Sequence, residues 1–330
     1  MNYAGRLFID NKDAFTEYGV FVERWGYKAL IQMPSFKTPD STEWDEYDGA
    51  EFDLTDPVLD SKTFQMQFCV MNVTQVSDLF YTLSDKSYHI FNFVEIGRSF
   101  KLRLSQNSSI SSKVTLGKFT ISLVDDFPPI RYQSGMSNDI LNQAFPRVLN
   151  VQPYATSVTK LNVGYELDDV DFGRFGVNIL DGTNQNILRS PNVRENLKVS
   201  IKGKSGVDYD DEEVLYKTKD VQMKLLIHAE DITDFWHRYD SIFTALIQPD
   251  TRELFSWEII NTFECFYKNC QVSKFDILNN GHVWCEFTIT LTFVDDRPEE
   301  SEWLLASEDM IWIVTEDEDN NDFVKLDKNR

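Results

Sequence analysis

The chain has 330 residues, 54 acidic against 32 basic, for a formal net charge of −22. That length fits one large or two ordinary domains, and 42% apolar content with 25 phenylalanines supplies real cores, which excludes a chain disordered throughout. The acidic excess argues against a nucleic-acid binder, which needs clustered Lys and Arg, and no window of about 18 apolar residues reads as a membrane span. The start, Met1-Asn2-Tyr3-Ala4-Gly5-Arg6, lacks the basic stretch and long apolar run of a signal peptide. Four cysteines are too few for a disulfide scaffold, and the spacing of Cys265 and Cys270 fits neither C-x-x-C nor a zinc ribbon. All four are expected to be reduced and mostly buried.

In chain order, Gly19 to Arg24 alternates as a strand does. Thr63 to Val70 is a cleaner case, with Phe64, Met66, Phe68 and Val70 on one face. A helix follows, capped by Thr74 or Ser77, with Val76, Leu79, Phe80 and Leu83 at helical spacing. The strand Lys118–Val124 buries Phe119, Ile121 and Leu123, and Pro128 stops the ladder after Asp125-Asp126. Arg131 to Tyr165 reads as a linker with Gly135, Pro146 and Pro153, and one helical turn at Asn138–Phe145.

The elements then recur. Val221–Ile227 alternates, and Asp231 caps a helix bearing Ile232, Phe235, Trp236, Tyr239, Ile242, Phe243 and Leu246. Val283–Phe293 is a long closing strand, stopped at Pro298. In the tail, Asp309–Val314 reads as one added strand and Glu316–Asp322 as a solvated acidic segment rather than a Ca²⁺ loop.

The recurrence has a measurable spacing. Tyr18-Gly19-Val20 returns as Phe175-Gly176-Val177, and Lys62–Met66 as Lys219–Met223, both 157 positions later. Ser99–Leu102 matches Thr262–Cys265 at 163, and Phe119–Pro128 matches Ile289–Pro298 at 170. Ordered blocks with slowly drifting offset indicate a duplicated module, with about thirteen extra residues in the second copy after its helix and around its later hairpin. The fold class is therefore mainly β with one helix per unit, as two tandem β-sandwich or split-barrel domains. Their boundaries are 1–130 and 165–298, with a linker over 131–164 and an acidic extension over 299–330.

Chemistry is scarce. His89, His228, His237 and His282 occur in no metal-binding spacing and read as surface or satisfied side chains. Nucleophile-elbow, P-loop and dinucleotide motifs are missing. Asp125-Asp126 and Asp295-Asp296 have the residue type of glycosidase acids, but each precedes a Pro and suits a turn in which Asp bonds its own backbone. Asp208–Glu213 lacks the Gly a Ca²⁺ loop needs, and Asn72-Val73-Thr74 is a sequon only in a secreted eukaryotic chain. The expectation is a protein that is not an enzyme, with no catalytic, cofactor-binding or metal-binding residues and no cofactor.

The opening Leu7-Phe8-Ile9-Asp10-Asn11, followed by Tyr18-Gly19-Val20-Phe21-Val22-Glu23, resembles that of the distal tail proteins of long-tailed bacteriophages. The order of strand pair, alternating strand, helix, hairpin and final strand before Pro resembles their ring-forming domain and the related tail-tube fold. The chain departs from that family in carrying the domain twice instead of one such domain followed by a different C-terminal module. The resemblance implies a structural virion protein of the tail tip, assembled in the bacterial host cytoplasm. It would be a distal-tail or hub-type ring joining the tail tube to the baseplate or host-recognition device. The implied partners are further copies of itself, as a trimer with pseudo-sixfold symmetry or a hexamer, together with tail-tube and baseplate or fibre proteins. DNA would pass through the channel without specific binding, because carboxylates repel its phosphates. The alternative is a tandem β-sandwich module that binds glycan or protein through an aromatic platform of Trp25, Trp44, Trp257 or Trp303. A third reading is a glycosidase using two of the many carboxylates.

Overall fold

The computed structural model describes residues 3–44, 47–70, 76–105, 117–131, 148–149, 164–196, 198–209, 214–295, 303–304 and 325–326. Met1–Asp296 form one compact unit and Arg297–Arg330 a second. Within the first unit the chain builds two curled seven-stranded sheets, so the protein is mainly β.

The first module opens with β1 (Leu7–Ile9) and β2 (Lys12–Asp13). Asp10 and Asn11 join them with φ of 47° and 65°, the left-handed pair that a two-residue hairpin turn requires. Asp13 then caps α1 (Ala14–Tyr18), accepting from the Phe15 and Thr16 N–H groups. The module continues through β3 (Val20–Val22), α2 (Lys28–Ile31), a small hairpin of β4 (Ser41–Thr42) and β5 (Glu51–Phe52), and β6 (Lys62–Val70). It closes with α3 (Val76–Ser84), β7 (His89–Phe93), β8 (Arg98–Leu104) and β9 (Lys118–Asp125). Sheet order is β2-β1-β7-β8-β9-β6-β3. Phe64, Met66, Phe68 and Val70 face the core, as their alternation predicts.

The short strands β10 (Ile130–Arg131) and β11 (Val148–Leu149) pair in parallel within the linker, and Leu149 is buried in the core. The helical turn expected at 138–145 lies outside the described residues.

The second module repeats the plan. Its strands are β12 (Tyr165–Leu167), β13 (Val170–Asp171), β14 (Asn178–Ile179), a hairpin of β15 (Lys198–Val199) and β16 (Asp208–Tyr209), β17 (Lys219–Ala229), β18 (Arg252–Ser256), β19 (Asn261–Ile277) and β20 (Val283–Phe293). Its helices are α4 (Thr183–Leu188) and α5 (Ile232–Leu246), the latter capped by Asp231 as anticipated. Sheet order is β13-β12-β18-β19-β20-β17-β14, the same path strand for strand. The extension contributes β21 (Trp303–Leu304) and β22 (Lys325–Leu326), paired antiparallel, while the strand expected at 309–314 and the segment 316–322 lie outside the described residues.

Three expectations need correction. The closing strands correspond at 168, not 170: Met66 faces Ile121 where Met223 faces Ile289, and Lys62 faces Asp125 where Lys219 faces Phe293. A two-residue slip keeps every apolar residue on its face, so alternation by itself could not exclude it. The second copy thus gains eleven residues rather than thirteen, six of them in the longer helix. Ser77 is not a cap, since α3 begins at Val76, and Thr74 lies outside the described residues.

Gly19 and Gly176 lie outside the strands that follow them, which begin at Val20 and Asn178. Each ends a helical turn in the left-handed region, at φ 65° and 68°. At Gly176 a Cβ would also meet the Arg238 side chain at 2.7 Å. Gly176→Val is expected to cost about 2 kcal/mol, because a β-branched residue is strained there and Arg238 must move. The check is a lower urea midpoint with an unchanged slope.

Candidate assembly surface

Each module sends out an arm between a short helix and its long alternating strand, α2 and β6 in the first and α4 and β17 in the second. The first spans residues 36–59 and the second 193–216, closed at their bases by the bridges Phe36–Leu59 and Val193–Tyr216. Ser41 faces Phe52 in the first arm and Lys198 faces Tyr209 in the second, so the two correspond at 157 throughout.

The first arm lies on the second module. Phe36 N–H donates to the Lys268 carbonyl at 3.0 Å, and the Phe36 ring meets Tyr267 edge-on at 5.3 Å. Phe52 packs on Phe266 with centroids 4.8 Å apart. At the tip, Gly49 N–H donates to the Tyr216 carbonyl at 2.9 Å, and Asp48 accepts from Tyr216 N–H at 2.6 Å. The buried Arg194 guanidinium donates to the carbonyls of Trp44 and Gly49. Between arm and module lies an open cavity of about 600 Å³, bordered by Lys37, Phe52, Arg189, Lys268 and Asn269.

Helix α5 and strand β19 complete the junction. Tyr239 donates its hydroxyl to the Ile31 carbonyl at 2.9 Å, Tyr267 to Pro34 at 2.9 Å, and Trp236 Nε1 to Ile96 at 2.6 Å. Arg98 lies 3.6 Å from the centre of the Trp236 ring and pairs with Asp240. Burial drives the phenols of Tyr239 and Tyr267 well above their ordinary range, so both stay protonated donors.

The histidines divide. His89 is buried, with Nδ1 2.7 Å from Asp10 Oδ2 and Nε2 3.2 Å from the Lys86 carbonyl. The second module has Arg252 in that place, donating to Asp168 at 2.7 Å. His228 and His282 face each other at 3.4 Å, and His237 is exposed on α5. Among the described residues, no group of three or more His, Cys, Asp and Glu is placed to hold a metal ion.

Burial opposes ionisation of Asp10, but hydrogen bonds from Ile90 N–H, His89 and Lys86 outweigh it and hold the carboxyl below its usual range. A depressed folded value means this stabilisation is fully present above the unfolded carboxylate's value near 4 and is lost as pH falls through the folded one. Asp10→Asn should therefore narrow the stability gap between pH 7 and pH 3, read as urea midpoints at the two values.

Asp125 accepts from Phe127 N–H at 3.1 Å, the turn its Pro context suggested. Asp126 holds Arg103 and Tyr88. Asp295 is not its counterpart, since β20 ends at Phe293; Asp296 lies outside the described residues, as do 210–213. Cys69 is half-buried and Cys265, Cys270 and Cys285 are buried; all four are free thiols, and burial pushes Cys270 up to about 12.

Trp25, Trp44 and Trp257 are all exposed, on three separate loops, and no ring contact joins any two of them. Trp257 donates to Glu166, and Arg24 covers Trp25. The side chain of Trp303 lies outside the described residues. The junction was missed by sequence reasoning, although one signal for it existed: Gly49 and Gly206, and Ser41–Phe52 and Lys198–Tyr209, stand at the same 157 spacing as the core blocks.

No helix among the described residues is long and apolar enough to cross a membrane. Neither a protein-family model nor a curated protein matches the chain. Among solved structures, the chain is similar to the Dit protein of phage SPP1, described as a paradigm of the hub adsorption apparatus in phages that infect Gram-positive hosts, at 10% identity and a TM-score of 0.31. That likeness covers 39% of this chain and 49% of the other, about half its length.

Proposed function

We propose that the protein is a structural component of a phage tail tip, a distal-tail or hub-type ring that joins the tail tube to the baseplate and leaves a channel for DNA. In this reading it carries out no catalysis, holds no cofactor, and its origin is duplication of one ring-forming domain. The observation that carries it is the junction between modules. Two modules of identical strand order meet through different surfaces: the short helix α2 and the arm of the first, its front, lie on the long helix α5 and strand β19 of the second, its back. Such heterologous contacts between like units close into rings when the rotation permits. Three chains would then supply six modules, matching a sixfold tube to a threefold hub, and the −22 charge suits a channel that DNA must traverse without sticking.

Electron microscopy of the purified chain, alone and mixed with tail-tube and baseplate proteins, tests the proposal. Rings with a central opening, or caps on tube ends, are expected. A monomer that ignores tail components and binds glycans through its exposed tryptophans would replace this reading with the tandem binding module.

A further inference from the structure

The front of the first module is covered, and the same front on the second module is bare. Ile31 is 4% exposed beneath Tyr239, whereas its counterpart Leu188 is 68% exposed. Ala50 is 9% exposed and Val207 54%. Phe36 and Phe52 pack on Tyr267 and Phe266, but Val193 and Tyr209 face solvent. Both arm tips carry a left-handed glycine at the matching position. A Cβ on Gly49 would strike the Val294 carbonyl, while one on Gly206 meets nothing within 4 Å.

We infer that this bare front, Leu188 together with the arm 193–216, docks on the back of the first module of a second copy of the chain, repeating the intramolecular junction between molecules. The occupant is specified by the junction itself, since the surface that covers the first front is the back of a module with the same strand order. On the first module that back is α3, β8, the end of β9 and the base of the first arm. Lys37 occupies the position of Arg194, with the same base contact: Lys37 N–H donates to Val58 and Arg194 N–H to Leu215. Lys37 is exposed and borders two surface cavities of about 600 and 310 Å³. It would receive the carbonyls of Ile201 and Gly206 as Arg194 receives those of Trp44 and Gly49.

The inference deepens the ring reading and rests on it for closure. Its test uses the full chain in two variants, Leu188→Asp/Tyr209→Asp on the front and Lys37→Glu on the back, with mass measured by sedimentation across a concentration series. Wild type is expected to assemble, and the front variant to associate at least about thirtyfold more weakly at a melting temperature lowered by no more than about 2 °C, since Leu188 is exposed and Tyr209 gives up one surface hydrogen bond, from Asn196 N–H. Mixing the two variants should yield a one-to-one dimer, because each keeps the half the other lacks. A front variant that assembles like wild type, or a mixture that stays monomeric while wild type assembles, overturns the docking and leaves the ring reading standing. A wild type monomeric at every concentration and with tail partners overturns both.

Discussion

Gly49→Ala is expected to cost about 3–4 kcal/mol and lower the melting temperature by about 10 °C. Two terms combine: the left-handed φ of 69°, and a Cβ driven into the Val294 backbone, which has no side-chain freedom with which to retreat. The tip would lift, taking with it the bonds to Tyr216 and Arg194 and leaving the guanidinium buried without its carbonyls. Gly206→Ala is the internal control. It has the same kind of backbone conformation, φ 88°, but open space at the Cβ, so it should cost only about 1 kcal/mol in the isolated chain. The difference between the two measures docking of the first arm, and faster hydrogen exchange over 47–53 in Gly49→Ala alone would locate it. Equal losses in both variants would show that the tip contact contributes nothing.

The second large effect is expected at a pair of buried lysines. Lys62 Nζ donates to the carbonyls of Leu30 and Gln32 at 2.7 and 2.6 Å, and Lys219 Nζ to those of Ile187 and Arg189 at 2.6 and 2.9 Å. These carbonyls lie at the C-terminal ends of α2 and α4, where no intrahelical donor remains. Each lysine thus clasps a short helix, too short to persist alone, to the first residue of the long alternating strand. Lys62→Met and Lys219→Met keep the aliphatic stem and remove both charge-assisted donors. Each should cost about 3 kcal/mol, seen as a lower urea midpoint. Lys219→Met should in addition loosen Leu188 and the base of the second arm, whereas Lys62→Met should loosen Ile31 and with it the junction between modules. A midpoint within 0.5 kcal/mol of wild type in either variant would mean water replaces the lost donor.

Strand and helix assignments were legible where alternation or helical spacing ran long. Val283–Phe293, the faces of β6 and β17, and the Asp231 cap are all written in side-chain chemistry that acts within a few residues. The short helices were not, since α1, α2 and α4 have at most six residues and draw their stability from caps and tertiary contacts instead of periodicity. Gly19 shows the ambiguity: a glycine before an apolar run suits a strand entry as well as a helix end, and only the bonds from its N–H to Phe15 and Ala14 decide. His89 and Arg252 show another. Different residue types perform one task against Asp10 and Asp168, so comparing letters passes over a correspondence that hydrogen bonds reveal.

From the chain of residues alone follow its acidity, its β-rich character and the recurrence of one module at a spacing near 157, because composition and local periodicity are properties of neighbours along the backbone. Tertiary structure decided the register of the closing strands and which of two matching surfaces is covered. Ile31 and Leu188 look alike as letters in their settings; one is buried because α5 reaches it, and the other is bare because nothing among the described residues lies across it.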